Sequence, residues 1–274
     1  MGKMAFFETS DGVTIHYGDL GQGGPLVFVH GWAMSSVVWS FQRELADRRR
    51  LIAMDLRGHG QSAPSENVTL EAFANDLIEL FTRLDLHDAV LVGWSMGVQV
   101  VLQAFNSLRP RLAGLVLAGG TPRFSAAADY PHGLPPVEVK GMGVRLKRDY
   151  QKTMGDFFRG MFAEGEPDRE QYQRIVHEIV LKGRSPEPVV ARKALQVLAD
   201  ADLRPLLSRI DRPVLLIHGR NDTICRPEAS SYMAEMLPMA RLQMVDGGHA
   251  PFMARSAEFN GLIRAFMEEI IGRH

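Results

Sequence analysis

The chain has 274 residues, 46% hydrophobic and 23% charged, enough to bury the core of one large domain with an inserted subdomain. Its 31 basic and 32 acidic residues nearly cancel, so no global charge points to nucleic acid or to an anionic membrane. No stretch approaches the ~20 apolar residues of a membrane span, the start shows no apolar run or cleavage site of a secretory signal, and the single Cys225 excludes an intrachain disulfide, so a cytoplasmic monomer is expected.

Residues 6–8 and 13–17 flank Asp11-Gly12, which predicts a hairpin. Gly21-Gln-Gly-Gly24 precedes its strand instead of following it, so it reads as a turn and not as a dinucleotide loop. Residues 25–30 form the next buried strand, which runs into Gly31-Trp32. A glycine there lets the chain turn so that a main-chain N–H faces a nucleophile; a plain strand-ending turn is the alternative. Residues 51–54 are a further strand. Beyond it, Asp55-Leu-Arg-Gly-His-Gly-Gln-Ser62 gathers acid, base and serine. Glycines 58 and 60 predict a structured loop instead, with Asp55 and Arg57 bonding backbone and each other, and His59 as general base the lesser alternative. Residues 70–84 carry apolar side chains at helical spacing.

The most specific stretch follows. Residues 89–92 read as a buried strand, the apolar run after Gly97 reads as a helix, and Gly93-x-Ser95-x-Gly97 lies between them. That context puts Ser95 on a sharp strand-to-helix turn, its hydroxyl projecting above the sheet edge as a nucleophile. A Cβ at either glycine would strike the neighbouring strand or helix. The new helix aims free N–H groups where negative charge develops in acyl transfer. The backbone N–H groups of Trp32 and Met96 are therefore the candidate oxyanion hole.

Residues 111–117 are another strand, and strands alternating with helices predict a mostly parallel sheet covered on both faces. From residue 121 to 204 the pattern is helical, until residues 213–218 resume the sheet. A crossover needs only a dozen or so residues, so 121–205 reads as an inserted helical lid over Ser95, with residues 1–120 and 206–274 as the core. Pro135-Pro136, Gly141, Gly143, Gly155 and Gly160 interrupt its entry and first helix, which suits a kinked or mobile cover. Between residues 139 and 159, Lys140, Arg145, Lys147, Arg148, Lys152 and Arg159 face only Asp149 and Asp156, either a docking patch or a solvated helix face.

Asp222 lies just past the 213–218 strand, where an acid following the nucleophile in sequence belongs. Asp200, Asp202 and Asp211 precede that strand and are worse placed. Residues 242–245 are the last strand, and the glycine-flanked His249 after it can reach Ser95. His218 is its competitor, better read as a buried structural histidine, and Asp246 is at most a supporting carboxylate. Residues 254–271 close the chain as an amphipathic helix. Ser95, Asp222 and His249 thus give the order nucleophile, acid, base, with no histidine, cysteine or acid cluster at metal-ligand spacing and no cofactor required.

With these residues in place the whole chain resembles an α/β-hydrolase. Within that superfamily it is similar to the pimeloyl-acyl-carrier-protein methyl ester carboxylesterases of biotin synthesis. The likeness rests on His30-Gly31-Trp32, Gly93-Trp-Ser-Met-Gly97, Thr121-Pro-Arg-Phe-Ser125, Ala201-Asp-Leu-Arg-Pro-Leu-Leu207 and Gly248-His-Ala-Pro-Phe252. It implies an α/β fold with a mostly parallel sheet of the eight-stranded type, helices on both faces and a helical lid. It implies substrate contact at Trp32, Ser95, Met96 and His249 and along Phe157, Phe158, Arg159, Gly160 and Met161. It also implies an acyl carrier protein as partner, for which Arg145, Arg148, Lys152 and Arg159 are the docking candidates. A general short-chain carboxylesterase, a C–C bond hydrolase and a non-catalytic ligand receptor are the alternatives.

Overall fold

The computed structural model describes residues 3–271; Met1, Gly2 and residues 272–274, at the two ends of the expected core, lie outside them. Asp11-Gly12 folds β1 (Lys3–Glu8) antiparallel onto β2 (Thr14–Leu20), with Gly12 at φ +80°, a conformation that a Cβ would penalise. The remaining strands are β3 (Pro25–Val29), β4 (Arg50–Met54), β5 (Ala89–Trp94), β6 (Leu112–Ala118), β7 (Val214–Gly219) and β8 (Ala240–Val245). All eight join one sheet in the order β1-β2-β4-β3-β5-β6-β7-β8, parallel from β4 onwards. β5 is therefore central, and all its residues are buried. Helices cover both faces, so its side chains alternate between two apolar cores. Ala89 and Leu91 pack with Phe73 and Leu77 of α1 (Leu70–Arg83) and with α2 (Met96–Leu108). Val90, Val92 and Trp94 pack with Trp39 of the 3₁₀ segment Ser36–Asp47 and with α10 (Ser256–Ile271). A run buried on both sides has no reason to alternate with polar residues, which is why it reads as continuously apolar.

α1 starts where Thr69 Oγ1 accepts the Ala72 N–H at 3.1 Å. The loop before it differs from expectation: Asp55 and Arg57 do not pair. Asp55 accepts N–H groups of Ser36 and Gln61 and lies 2.8 Å from His16 Nδ1. Arg57 turns under α1 instead, forking onto Asp76 at 2.6 and 2.8 Å and reaching Asp11 at 2.8 Å. Both Arg57 and Asp76 are buried, so removing one strands the other's charge. Asp76→Ala should cost about 3–5 kcal/mol, read as a large fall in the denaturation midpoint, whereas Asp11→Ala, at the exposed end, should cost far less. His59 is buried against His30 and Phe73, and burial followed by the neighbouring His30 pushes its pKa down to about 3. It is a neutral packing residue.

Between β6 and β7 come α3 (Pro136–Arg148), α4 (Tyr150–Gly160), α5 (Arg169–Ile175) running into a π turn (Val176–Val180), α6 (Pro188–Asp200) and α7 (Arg204–Leu207). The glycines do not break the first of these. Pro136 opens α3, Gly141 and Gly143 lie within it, and Gly155 lies within α4. The break falls at Asp149, whose carboxylate caps α4 by accepting the Lys152 N–H at 3.0 Å. The stretch from 139 to 159 is therefore two helices.

Both ends of the insert are fastened together. Arg123 donates to Asp202 at 2.7 Å, the Leu203 N–H donates to the Pro122 carbonyl at 2.9 Å, and Arg204 spans Asp202 and Asp129. The two sequence motifs at residues 121–125 and 201–207 thus meet as one clamp, and the expected boundary after residue 205 falls inside α7. After β7, α8 (Pro227–Met236) packs on the sheet, and the closing helix is split at Arg255 into α9 (Pro251–Ala254) and α10.

Candidate active site

Ser95 joins β5 to α2 at φ 56°, ψ −120°, a strained conformation that costs a non-glycine residue about 1–3 kcal/mol. Its neighbours permit the turn by being small. A Cβ on Gly97 would lie 2.4 Å from the Val29 carbonyl oxygen of β3. Gly31 is needed for closeness rather than for turning: a Cβ there would lie 2.9 Å from the Ser95 Cβ. His30 fixes this segment, since its Nδ1 lies 2.8 Å from the Gly31 carbonyl while Nε2 accepts the Leu56 N–H at 3.0 Å. Trp32 follows Gly31 beside the serine, and Met96 begins α2, where the first N–H groups have no intrahelical acceptor.

The ends of β7 and β8 bring up the other two residues. His249 Nε2 is 2.9 Å from Ser95 Oγ, and its Nδ1 is 2.7 Å from Asp222 Oδ2; all three residues are buried. A carboxylate only accepts, so Nδ1 carries the proton and Nε2 accepts from the Ser95 hydroxyl. Asp222 Oδ1 accepts the Ile224 and Cys225 N–H groups at 2.8 and 2.9 Å. Burial opposes the charge on Asp222, but His249 and His218 outweigh it and hold the carboxyl far below the usual range. Trp94 Nε1 donates to the His249 carbonyl at 2.9 Å, with the rings 5.2 Å apart, so the tryptophan before the serine steadies His249. Asp246 points to solvent near Arg220 and plays no supporting part.

A cavity of about 230 Å³ adjoins Ser95, walled by Trp32, Phe157, Gly160, Leu195 and Leu198, with Arg145 and Asp156 also on its wall. Of the contiguous stretch 157–161, only Phe157 and Gly160 face it. α4 divides its side chains by helical phase: Thr153, Asp156, Phe157 and Gly160 share one face. Met154, Phe158 and Arg159 face a second cavity of about 300 Å³ beside Met34 and Tyr172. Met161 is fully buried. The i, i+3, i+4, i+7 spacing was the signal that would have singled out Thr153. Leu195 and Leu198 come from α6, distant in sequence. Trp32 ties the insert down, donating from Nε1 to the Ala191 carbonyl at 2.8 Å and meeting Phe157 edge-on at 4.8 Å.

The insert also grips the loop carrying His249. The Ala250 N–H donates to the Met161 carbonyl at 3.2 Å, the Gly248 N–H to Glu166 Oε2 at 2.9 Å, and Gln171 Nε2 to the Ala254 carbonyl. Among the described residues no cluster of His, Cys, Asp and Glu could hold a metal ion, and no helix is long and apolar enough to cross a membrane.

Residues 24–256 match the family model for the alpha/beta hydrolase fold. A pimeloyl-[acyl-carrier protein] methyl ester esterase from Nitrosomonas europaea is 36% identical over 248 residues, 90% of this chain and 96% of that protein. One from Vibrio cholerae is 32% identical over 241 residues, 87% and 92% of the two chains. Among solved structures, an esterase from Exiguobacterium antarcticum superposes with a TM-score of 0.90 at 27% identity, covering 98% of this chain and all (100%) of that one.

Proposed function

The chain belongs to the α/β-hydrolase family, and from that premise we propose that it is a serine carboxylesterase that removes the methyl group from a pimeloyl methyl ester carried on acyl carrier protein. The observation that carries the chemistry is the unbroken contact from Asp222 through His249 to Ser95. In this reading Ser95 Oγ attacks the ester carbonyl while His249 Nε2 takes its proton. The N–H groups of Trp32 and Met96 stabilise the oxyanion. The C–O bond to the methoxy group then breaks, and His249 passes its proton to that oxygen, releasing methanol. Water, deprotonated by His249, attacks the acyl-Ser95 ester and frees the carboxylate. The insert of residues 121–205 serves as the lid.

The acyl group and carrier are supported by the names of the similar bacterial esterases and by charge. Lys140, Arg145, Lys147, Arg148 and Lys152 are exposed, and among the described residues none pairs with an acid; Arg159 pairs with Asp156. Arg145 lines the Ser95 cavity, so docking is best tested at Arg148 and Lys152. Reversing both to Glu should lower kcat/KM for a carrier-bound ester and weaken its dependence on salt, since charges of this kind set on-rate and partner choice. Hydrolysis of p-nitrophenyl butyrate should hardly change. Equal loss on both substrates would indicate damage to the lid, and no loss on either would leave the patch a solvated face. Complementation of a biotin-requiring bacterium lacking this esterase tests the whole assignment. A general short-chain carboxylesterase is the second reading, favoured by the modest cavity beside Ser95, and failure to complement with retained esterase activity would select it.

A further inference from the structure

A second histidine reaches the carboxylate of Asp222. His218 lies in β7 and is fully buried, with Nε2 2.8 Å from the Cys225 carbonyl and 3.1 Å from Asp222 Oδ2. Its Nδ1 lies 2.6 Å from Ser230 Oγ on α8, and Ser230 is equally buried. Nε2 faces only acceptors, a carbonyl and a carboxylate, so it carries the ring proton. Nδ1 then accepts, and the Ser230 hydroxyl donates to it.

The arrangement closes a loop around the acid. The Cys225 N–H donates to Asp222 Oδ1, while the Cys225 carbonyl accepts from His218. Oδ1 is held by two backbone N–H groups, and Oδ2 faces His249 and His218 together. Asp222 therefore cannot turn its carboxylate without losing a partner on every side. The Cys225 carbonyl and Asp222 set the tautomer at Nε2, and Ser230 holds the ring plane from the other side by satisfying the buried Nδ1.

We infer that His218, oriented by Ser230, is a positioning residue for Asp222, so that the chain of contacts runs Ser230–His218–Asp222–His249–Ser95. This rests on the reading of Asp222 as the acid of the site. His218 touches no substrate and would act only through the orientation of Asp222.

The test measures hydrolysis of p-nitrophenyl butyrate by Ser230→Ala, His218→Gln and His218→Leu, each alone and combined with Asp222→Asn. His218→Leu should lower kcat roughly tenfold, the order of one polar contact to a charged group, with KM unchanged. His218→Gln, whose amide N–H occupies the place of Nε2, should recover most of that loss, and Ser230→Ala should fall between the two. In the Asp222→Asn background the same changes should cost less than about twofold, because residues acting through one another are not additive. Equal losses in both backgrounds, a loss confined to KM, or a Gln variant as poor as Leu would overturn the inference. If His218→Leu fails to fold, Ser230→Ala and His218→Gln carry the same comparison. A mild Asp222→Asn single variant would instead overturn the assignment of the acid, a separate failure visible before any His218 variant is made.

Discussion

Ser95→Ala should lower kcat for p-nitrophenyl butyrate by roughly 10⁴–10⁶, the range expected if Ser95 is a nucleophile that works as a unit with its base and acid. The substitution removes one oxygen from a buried site and leaves the strained turn in place. The Gly97 and Gly31 contacts that make room for the turn do not involve Oγ. Folding should therefore be nearly unchanged, and the loss is chemical. The cavity, Trp32 and Met96 remain, so substrate still binds and KM stays close to its original value. A fluorophosphonate probe should label the parent protein and not the variant. A purified Ser95→Ala protein that keeps near-parental esterase activity would remove Ser95 from the mechanism.

Asp222→Asn should cost up to ~10⁴ in kcat, and the contacts around the carboxylate give the reason. Oδ1 accepts two backbone N–H groups, so the amide nitrogen of Asn cannot occupy that side. It must take the place of Oδ2, where it points an N–H at His249 Nδ1. Nδ1 is then forced to accept, the ring proton moves to Nε2, and Nε2 can no longer take a proton from Ser95. The fold survives, because Asn and Asp have the same shape, while the base sits in the wrong tautomer. Asp246→Asn, at an exposed carboxylate paired with Arg220, should leave the rate within a factor of about two. The opposite ranking of the two variants would move the acid from Asp222 to Asp246.

What the sequence made legible is the chemistry that sits on local geometry. Gly93-x-Ser95-x-Gly97 between an apolar strand and a helix is a short-range signal, and the strand ends after which Asp222 and His249 fall are set by apolar runs. Less legible were partners that come from elsewhere in the chain. Asp55 and Arg57 are two residues apart, yet one turns to His16 and the other to Asp76 and Asp11, choices made by packing on β2 and α1. His218 drew notice as a rival to His249, but only the fold places it beside Asp222 and Ser230. The resemblance implies contact along all of 157–161, whereas helical phase sends Phe157 and Phe158 to different cavities. The glycines of α3 and α4 suggested breaks, but a single capping carboxylate at Asp149 decided where the chain turns.

The contacts between the insert and the loop of His249 bear on how far this scaffold can be re-engineered. Substrate range in a protein of this kind invites exchange of the helical cover for another. Here the segment from Met161 to Gln171 holds the backbone at Gly248, Ala250 and Ala254, so it braces the loop of His249. A transplant cut at the clamp of Arg123 and Asp202 would import a foreign support for His249 along with a foreign cavity. An exchanged cover should therefore keep the segment from Met161 to Gln171 with the histidine loop, and with it Phe158 of α4, whose ring meets Phe162 and Tyr172.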